Sequence, residues 1–473
     1  MNDNCIQFAH KAIVKSHAKH ITNKINVTFQ PSHVCDNENC SCILEIKQHI
    51  IVNKIVHLNL SNCNLKLLPD SLSELPLKSL NLSHNSIVHI PSCLLNGLES
   101  IEDLNLSYNQ ISEFEVEPKS ILNLQVLDVR CNDMKYIPIW LVHAKSRSLL
   151  ELYYSCNVLG KTNENLYAKI YSYDLRKLVL KDSYILNENI SFLKSIRTLE
   201  VLDVANGGCK TYRNCFTNCD ELLDHPSWEN TIKILSMSSL NMGFFPKNMI
   251  CLQSLKELYI ADNALFWLPD VIGKLVALEI LDISNNNIYF LPNIISDLKN
   301  LRVLKLQHNK LTDIKLLGEL VNLKLLDLYE NDLDSFHLDI SKFKCLDLEK
   351  NCFDTSLLDN IYSEKRFYYR NEYNLKFRDI GYNEEHSTDF NKSESDCDCI
   401  YSEDSGSSNV IPCDNYKEEC WDDIKIESHP DVTSSDDEWQ GYFPTQQEEQ
   451  KQKSQKSCLS LERLLEDLYA DVD

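Results

Sequence analysis

Glycine is scarce in this chain, at 10 of 473 residues. A loop that cradles phosphate needs several glycines in close order, and neither G-x-x-x-x-G-K-[ST] nor G-x-G-x-x-G occurs. H-E-x-x-H and G-x-S-x-G are missing too, which removes the zinc-protease and nucleophile-elbow readings. These absences exclude the common enzyme signatures, so the chain is read as a non-enzyme without a cofactor. No run approaches the roughly 18 to 20 apolar residues of a membrane span, so no membrane insertion is expected. The first residues, MNDNCIQFAHKAIVKSHAKH, lack the apolar core of a signal peptide.

Excess positive charge is also lacking. The formal net charge is −23, and it is unevenly distributed. Residues 371–473 hold 27 Asp and Glu against 9 Lys and Arg, a net of −18, which leaves −5 for the first 370. A balanced body with an acidic tail disfavours nucleic acid phosphates and anionic membranes as partners. Nineteen cysteines are an odd number, mostly scattered singly. They suit a reduced protein of the cell interior, with the cytoplasm expected first and the nucleus second.

What the chain has in quantity is one phrase: aliphatic, two variable residues, Leu, one variable residue, aliphatic, two variable residues, Asn. It reads Leu77–Leu80–Leu82–Asn85, then Ile101–Leu104–Leu106–Asn109, and returns as Leu255–Leu258–Ile260–Asn263, Leu278–Leu281–Ile283–Asn286 and Leu301–Leu304–Leu306–Asn309. Recurrence every 22 to 24 residues marks a solenoid of stacked units. Thirteen units start at Ile55, Leu77, Ile101, Leu124, Leu149, Leu175, Leu199, Ile232, Leu255, Leu278, Leu301, Leu323 and Phe343. The alternation in x-L-x-L-x has the period of a strand, with Leu inward and variable residues outward. Asn falls in the following turn, where its amide can bond backbone groups of adjacent turns.

The phrase L-x-x-L-x-L-x-x-N-x-L, repeated in phase over residues 55–355, resembles the leucine-rich repeat family. Several units continue into Leu-Pro or Ile-Pro, as at Leu68-Pro69, Ile90-Pro91, Ile137-Pro138, Leu268-Pro269 and Leu291-Pro292. That continuation resembles the intracellular Ras-suppressor and scaffold class. The resemblance implies an α/β leucine-rich repeat solenoid, a curved horseshoe with a parallel sheet on its concave face. Secreted members usually carry disulfide-bonded caps, and no such cap stands out at either end.

The expected organisation follows. Residues 1–54 are non-repetitive and serve as an N-terminal cap, 55–355 are the array, and 356–370 form a C-terminal cap with Leu357, Leu358 and Ile361 on a short helix. Residues 371–473 form an acidic tail too poor in aliphatics to offset its ordering entropy, so disorder is the expectation. In that tail Thr433, Ser434 and Ser435 precede acids at the spacing an acidophilic kinase uses. Leu461, Leu464, Leu465 and Leu468 give residues 459–470 one apolar helical face. Inside the array the Asn rhythm breaks at Ser183 and at Asn206-Gly207-Gly208, followed by an insertion near 208–230. Its Cys209, Cys215, Cys219 and His225, like His33, Cys35, Cys40 and Cys42 earlier, could ligate zinc. The spacing fits poorly, and an irregular loop with free thiols is preferred, with no metal assigned.

Outward strand positions form three columns along the concave face. The second half of the array mixes aromatics and charge at Glu257, Tyr259, Asp282, Lys305, Asp327 and Tyr329, beside an apolar row of Ile280, Val303 and Leu325 expected to lie exposed. Tyr anchors among polar groups are the composition interfaces favour, and a contiguous apolar row needs an explanation. These nine residues are the expected partner site. Charge reversal at Asp282, Lys305 and Asp327 is expected to abolish capture while leaving the fold intact. The functional reading is an intracellular protein–protein interaction scaffold, whose tail engages a second partner. The alternative is a regulatory or substrate-targeting subunit of an enzyme complex, such as a protein phosphatase or ubiquitin ligase.

Overall fold

A computed structural model of the chain describes residues 24–26 and 56–375, with breaks at 115–122, 137–147, 160–173 and several shorter stretches. The expected tail features, at 433–435 and 459–470, and the N-terminal Cys–His cluster lie outside the described residues.

Each x-L-x segment is a strand of three residues. In chain order these are β1 (Lys24–Asn26), β2 (His57–Asn59), β3 (Ser79–Asn81), β4 (Asp103–Asn105), β5 (Val126–Asp128), β6 (Glu151–Tyr153) and β7 (Lys177–Val179). There follow β8 (Val201–Asp203), β9 (Ile234–Ser236), β10 (Glu257–Tyr259), β11 (Ile280–Asp282), β12 (Val303–Lys305), β13 (Leu325–Asp327) and β14 (Cys345–Asp347). They form one sheet whose spatial order is the chain order, with parallel neighbours throughout. The central leucine of each strand stands opposite that of the next, from Leu58 and Leu80 to Leu326 and Leu346. These leucines and their neighbours merge into a single buried core behind the sheet. Besides the thirteen strands that the leucine spacing announces, β1 pairs with β2 through Ile25 and Leu58.

The repeat Asn is the second source of continuity. Asn109 Nδ2 donates to the carbonyls of Leu82 and Leu106, both at 3.0 Å, while its Oδ1 accepts from Ile87 N at 3.0 Å. One amide therefore bridges its own turn and the preceding one. Asn85, Asn132, Asn157, Asn263, Asn286, Asn309, Asn331 and Asn351 repeat the arrangement. Without these side chains the buried turn would leave its donors and acceptors unmet.

The turn itself is tight. The residue before the rung position is left-handed in twelve units, among them His84, Tyr108, Cys156, His308 and Lys350, with φ between 50° and 60°. None of them is glycine. Each such conformation costs a side-chain-bearing residue roughly 1 kcal/mol, and the Asn hydrogen bonds on either side hold it.

The broken rhythm around Ser183 and Gly207 is repaired in space. Asn214, from the insertion, folds back so that its Oδ1 accepts from Ser183 N at 3.0 Å and Ile185 N at 2.9 Å. Its Nδ2 donates to Leu180 O and Val204 O at 2.8 and 2.9 Å. It thus does for the unit from Leu199 what a repeat Asn at Gly207 would do. Asn206 fixes it there by accepting from Asn214 N at 2.7 Å. One step earlier, the carbonyl of Ser183 takes the N–H of Leu159 that a rung would accept. Nor is the insertion an irregular loop. Asn218 caps a short helix α2 (Cys219–Leu223), and Leu222, Leu223 and Trp228 lie in the core. Trp228 donates its indole N–H to Ile196 O at 2.8 Å.

On the opposite side from the sheet, Pro begins several turns. Pro91 precedes the one-and-a-half-turn α1 (Ser92–Gly97), and Pro246, Pro269 and Pro292 precede 3-10 turns. Pro fits a first helical turn because that N–H would be unpaired anyway. Gly97 is required by close approach, since a Cβ there would lie 2.5 Å from the Ser73 carbonyl oxygen.

After β14 the chain forms α3 (Asn360–Glu372), which starts after Leu357 and Leu358 and runs two residues past the expected cap. Ile361, expected on the capping helix, lies on it but is exposed, and Tyr362 is buried. Aromatic residues reach farther across the open end of the stack than an aliphatic pair could. The Tyr362 hydroxyl accepts from Leu348 N at 3.0 Å, and Lys365 donates to Phe343 O.

Asn214→Ala is expected to cost on the order of 3 kcal/mol, because it strands several buried backbone groups at once. A lowered midpoint in urea unfolding measures this. Asn300→Ala, which removes one exposed bond to Val276 O, should cost under about 1 kcal/mol.

Candidate functional site

The outward face of the sheet divides into a covered part and an open part. Over the last strands, Tyr369 and Tyr373 from the end of α3 form a second buried cluster with Ile280, Val303, Leu325 and Cys345. Tyr259, Tyr368 and Leu375 pack against its margin. The row expected to lie exposed is therefore covered: Ile280 retains 1 % of its accessible surface, and Val303 and Leu325 retain none. The reason is in the chain itself, since an apolar row on a sheet is buried by the nearest apolar segment able to reach it.

Of the charged residues of the expected site, Asp327 is committed to the same contact. Tyr369 donates its hydroxyl to Asp327 Oδ2 at 2.9 Å. Arg370 grips Asp347 with Nε and a terminal nitrogen at 2.9 and 3.0 Å, and stacks over Tyr329. Lys305 lies 3.4 Å from Asp282, both buried. The Asp column also has a local duty. Asp282 Oδ1 accepts from Ser284 N, Asp327 Oδ1 from Tyr329 N and Asp347 Oδ1 from Glu349 N, so each carboxylate closes the end of its strand. Charge reversal at Asp282, Lys305 and Asp327 would bury unpaired charge and damage the fold, contrary to the expectation from sequence. Glu257 and Tyr259 differ: both are half-buried at the edge of the covered region, and the Tyr259 hydroxyl donates to Glu257 at 2.7 Å.

The open part centres on Tyr153 in β6. Arg130 and Lys177, from the strands on either side, place their cationic groups 5.2 and 5.0 Å from its ring centre. The Tyr153 hydroxyl donates to Glu151 at 2.7 Å, and Arg130 forms a forked pair with Asp128 at 2.8 to 3.2 Å. All five side chains are half-buried or, for Asp128, buried. Burial, with the Glu151 bond and charge, raises the Tyr153 phenol. Burial lowers Arg130, but the hydrogen bond to Asp128 and the surrounding negative charge together outweigh it and leave the guanidinium raised. The column read from sequence contains Tyr153, yet nothing in spacing alone shows two cations converging on it.

Next to this cluster a cavity of about 210 Å³ opens between β7 and β11, lined among others by Lys177, Lys181, Asp203, Ser236, Tyr259 and Asp282. Asp203 at its floor accepts from Ala205 N at 3.0 Å. Burial raises its carboxyl above the usual range despite that bond and the nearby Lys181. Burial likewise raises Asp103 and Glu257.

Of the insertion's candidate ligands, Cys209 lies outside the described residues. Among the described residues no group of three or more His, Cys, Asp or Glu could hold a metal ion. Burial pushes the Cys219 thiol up to about 12. His225 stacks on Trp228 at 4.7 Å and accepts from Ser227 N. No helix among the described residues is long and apolar enough to cross a membrane.

A parallel sheet in chain order, one Leu layer and one Asn rung per turn leave little doubt about the kind of fold, and sequence comparison agrees. Models described as leucine rich repeat match residues 54–75, 76–134 and 253–311. The chain is a leucine-rich repeat protein. A leucine-rich repeat protein of Leptospira interrogans shares the fold, with a TM-score of 0.52 at 21% identity over 76% of this chain and 96% of that one. Osteomodulin of Bos taurus is 30% identical over 147 residues, covering 30% of this leucine-rich repeat chain and 33% of osteomodulin. Leucine-rich repeat serine/threonine-protein kinase 1 of Mus musculus is 25% identical over 209 residues, covering 40% of this chain and 10% of the kinase. The chain thus spans about a third and a tenth of these relatives. The matches carry the repeat family and not the narrower Ras-suppressor class. Leucine-rich repeat arrays are, as a fold, protein-interaction modules, with broad exposed sheets in place of closed pockets.

Two measurements follow for this leucine-rich repeat protein. Arg370→Ala should destabilise it by about 3 to 5 kcal/mol in urea unfolding, because Asp347 is left buried and unpaired. The raised carboxyls work in the other direction with pH. Their contribution to stability is fully present below the unfolded carboxyl value and is lost as pH rises through the higher folded value. Asp203→Asn should therefore flatten the fall in urea midpoint as pH rises above about 4; an unchanged slope would place the effect elsewhere.

Proposed function

We propose that this leucine-rich repeat protein is an interaction scaffold of the cell interior. It captures a protein partner on the part of the sheet that α3 leaves open. The observation that carries this reading is the Tyr153 cluster: an aromatic ring held between Arg130 and Lys177, half-buried, on a face with no segment of its own chain described over it. Tyr and Arg in partly desolvated settings are the residues that dominate interface energies. The cluster is preordered by its ion pair and hydrogen bonds, so a partner loses little entropy in fixing it.

The adjoining cavity extends the receptive surface toward Glu257, Tyr259 and Asp282, three of the residues singled out by sequence. The other six, Lys305, Asp327, Tyr329, Ile280, Val303 and Leu325, lie beneath or beside α3 and support the fold of that end. The odd number of cysteines, scattered mostly singly along the chain, suits a reducing compartment. The acidic residues after 371 are assigned the recruitment of a second partner.

Affinity purification of the full chain from cells tests the assignment. Tyr153→Ala with Lys177→Glu should reduce the principal copurifying protein about ten-fold or more, as expected for loss of a hot spot. Recovery equal to that of the unaltered chain would overturn it.

A further inference from the structure

Away from the sheet face, five aromatic side chains stand exposed on three successive turns. They are Phe244 after β9, Phe266 and Trp267 after β10, and Tyr289 and Phe290 after β11, between 42% and 70% exposed. All occupy the two positions that precede the Phe-Pro or Leu-Pro of their unit, at Phe245-Pro246, Leu268-Pro269 and Leu291-Pro292. The next unit has Thr312 and Asp313 there, so the row stops abruptly. Phe244 meets Trp267 edge-on at 5.8 Å. Lys310 lies over Tyr289, 3.3 Å from its hydroxyl, and Lys247 is exposed three residues on from Phe244. A contiguous aromatic row bordered by cations is more apolar than an isolated array normally presents to water.

The spacing of the row says what fits it. Successive strands stand about 4.8 Å apart, so three turns span about 10 Å. One helical turn advances about 5.4 Å, and seven residues about 10.5 Å. Leu461, Leu464 with Leu465, and Leu468 mark one helical face at that interval. The same stretch carries Glu462, Glu466 and Asp467 beside its leucines, the complement of Lys247 and Lys310. Positions 375 and 461 are 86 residues apart in sequence, and an unstructured chain of that length has an r.m.s. end-to-end distance of about 50 Å. Tethering makes such docking effectively intramolecular, so modest apolar contact suffices.

We propose that the aromatic row after β9, β10 and β11 seats the chain's own segment 459–470, one helical turn per repeat, with its leucines against the rings and its acids toward the lysines. This surface is separate from the open sheet face around Tyr153.

Hydroxyl-radical footprinting of the full chain tests this, comparing the unaltered protein with Leu464→Asp/Leu465→Asp. Both are oxidised at two concentrations about a hundred-fold apart, so that mass action reveals any second copy. The substitutions lie outside the array, and far-UV circular dichroism checks that the fold is kept. Oxidation of Phe244, Trp267 and Phe290 should rise roughly three-fold or more in the variant at both concentrations, for a segment seated most of the time. Tyr136, exposed elsewhere on the array, should not change. Equal oxidation of the row in both proteins would overturn the proposal. Protection that disappears on dilution would also overturn it, in favour of a second copy of the chain.

Discussion

The side-chain amide of one Asn per turn is the interaction on which this architecture depends. Leucines supply the driving force of burial, but an apolar layer alone does not say how far one turn lies from the next. Asn109 does, because its two carbonyl acceptors and one amide donor belong to adjacent units and can be reached together at one separation only. The same bonds stabilise the left-handed residue beside each rung. With only 10 glycines in the chain, those turns are made by His84, Tyr108, Glu330 and others, whose backbone cost is met locally by the amide network.

That dependence explains the behaviour of the insertion. A unit lacking its Asn would break the chain of backbone contacts in the middle of the array. Asn214 prevents this by returning to the vacant rung from outside the repeat, guided by Asn206. The insertion then contributes Leu222, Leu223 and Trp228 to the common core. The break in rhythm is therefore compatible with one uninterrupted sheet, and the strands on either side of it keep a common frame. The Tyr153 cluster and the neighbouring cavity stand on strands aligned by this repaired stretch.

Sequence made the repeats legible because their determinants are local and periodic: the strand alternation, the Asn and the Pro all recur at fixed offsets. What it concealed was non-periodic. Asn214 lies outside the phrase, so nothing in the spacing marks it as a rung. The covering of Ile280, Val303 and Leu325 depends on Tyr369 and Tyr373, residues that follow the array and carry no repeat signal. A sign was present, since Tyr362, Tyr369 and Tyr373 fall on one helical face, with Arg370 next to it. The aliphatic pattern points instead to Leu357, Leu358 and Ile361, of which Ile361 is exposed. The candidate site was half legible: the column holding Tyr153, Tyr259 and the aspartates was visible, but which part of it remains open depends on a tertiary contact.

The seal made by α3 bears on assembly as well as on stability. An open parallel sheet ends in a strand whose free backbone groups and bare leucines are a template for another chain. Here Tyr362 and Lys365 satisfy Leu348 N and Phe343 O, while Tyr362 stops the core. With its final rung occupied, the stack cannot be extended by docking the first strand of a second molecule onto its last. The helix thus sets a boundary condition on growth: at this end of the array, backbone groups that a further unit would use are already taken.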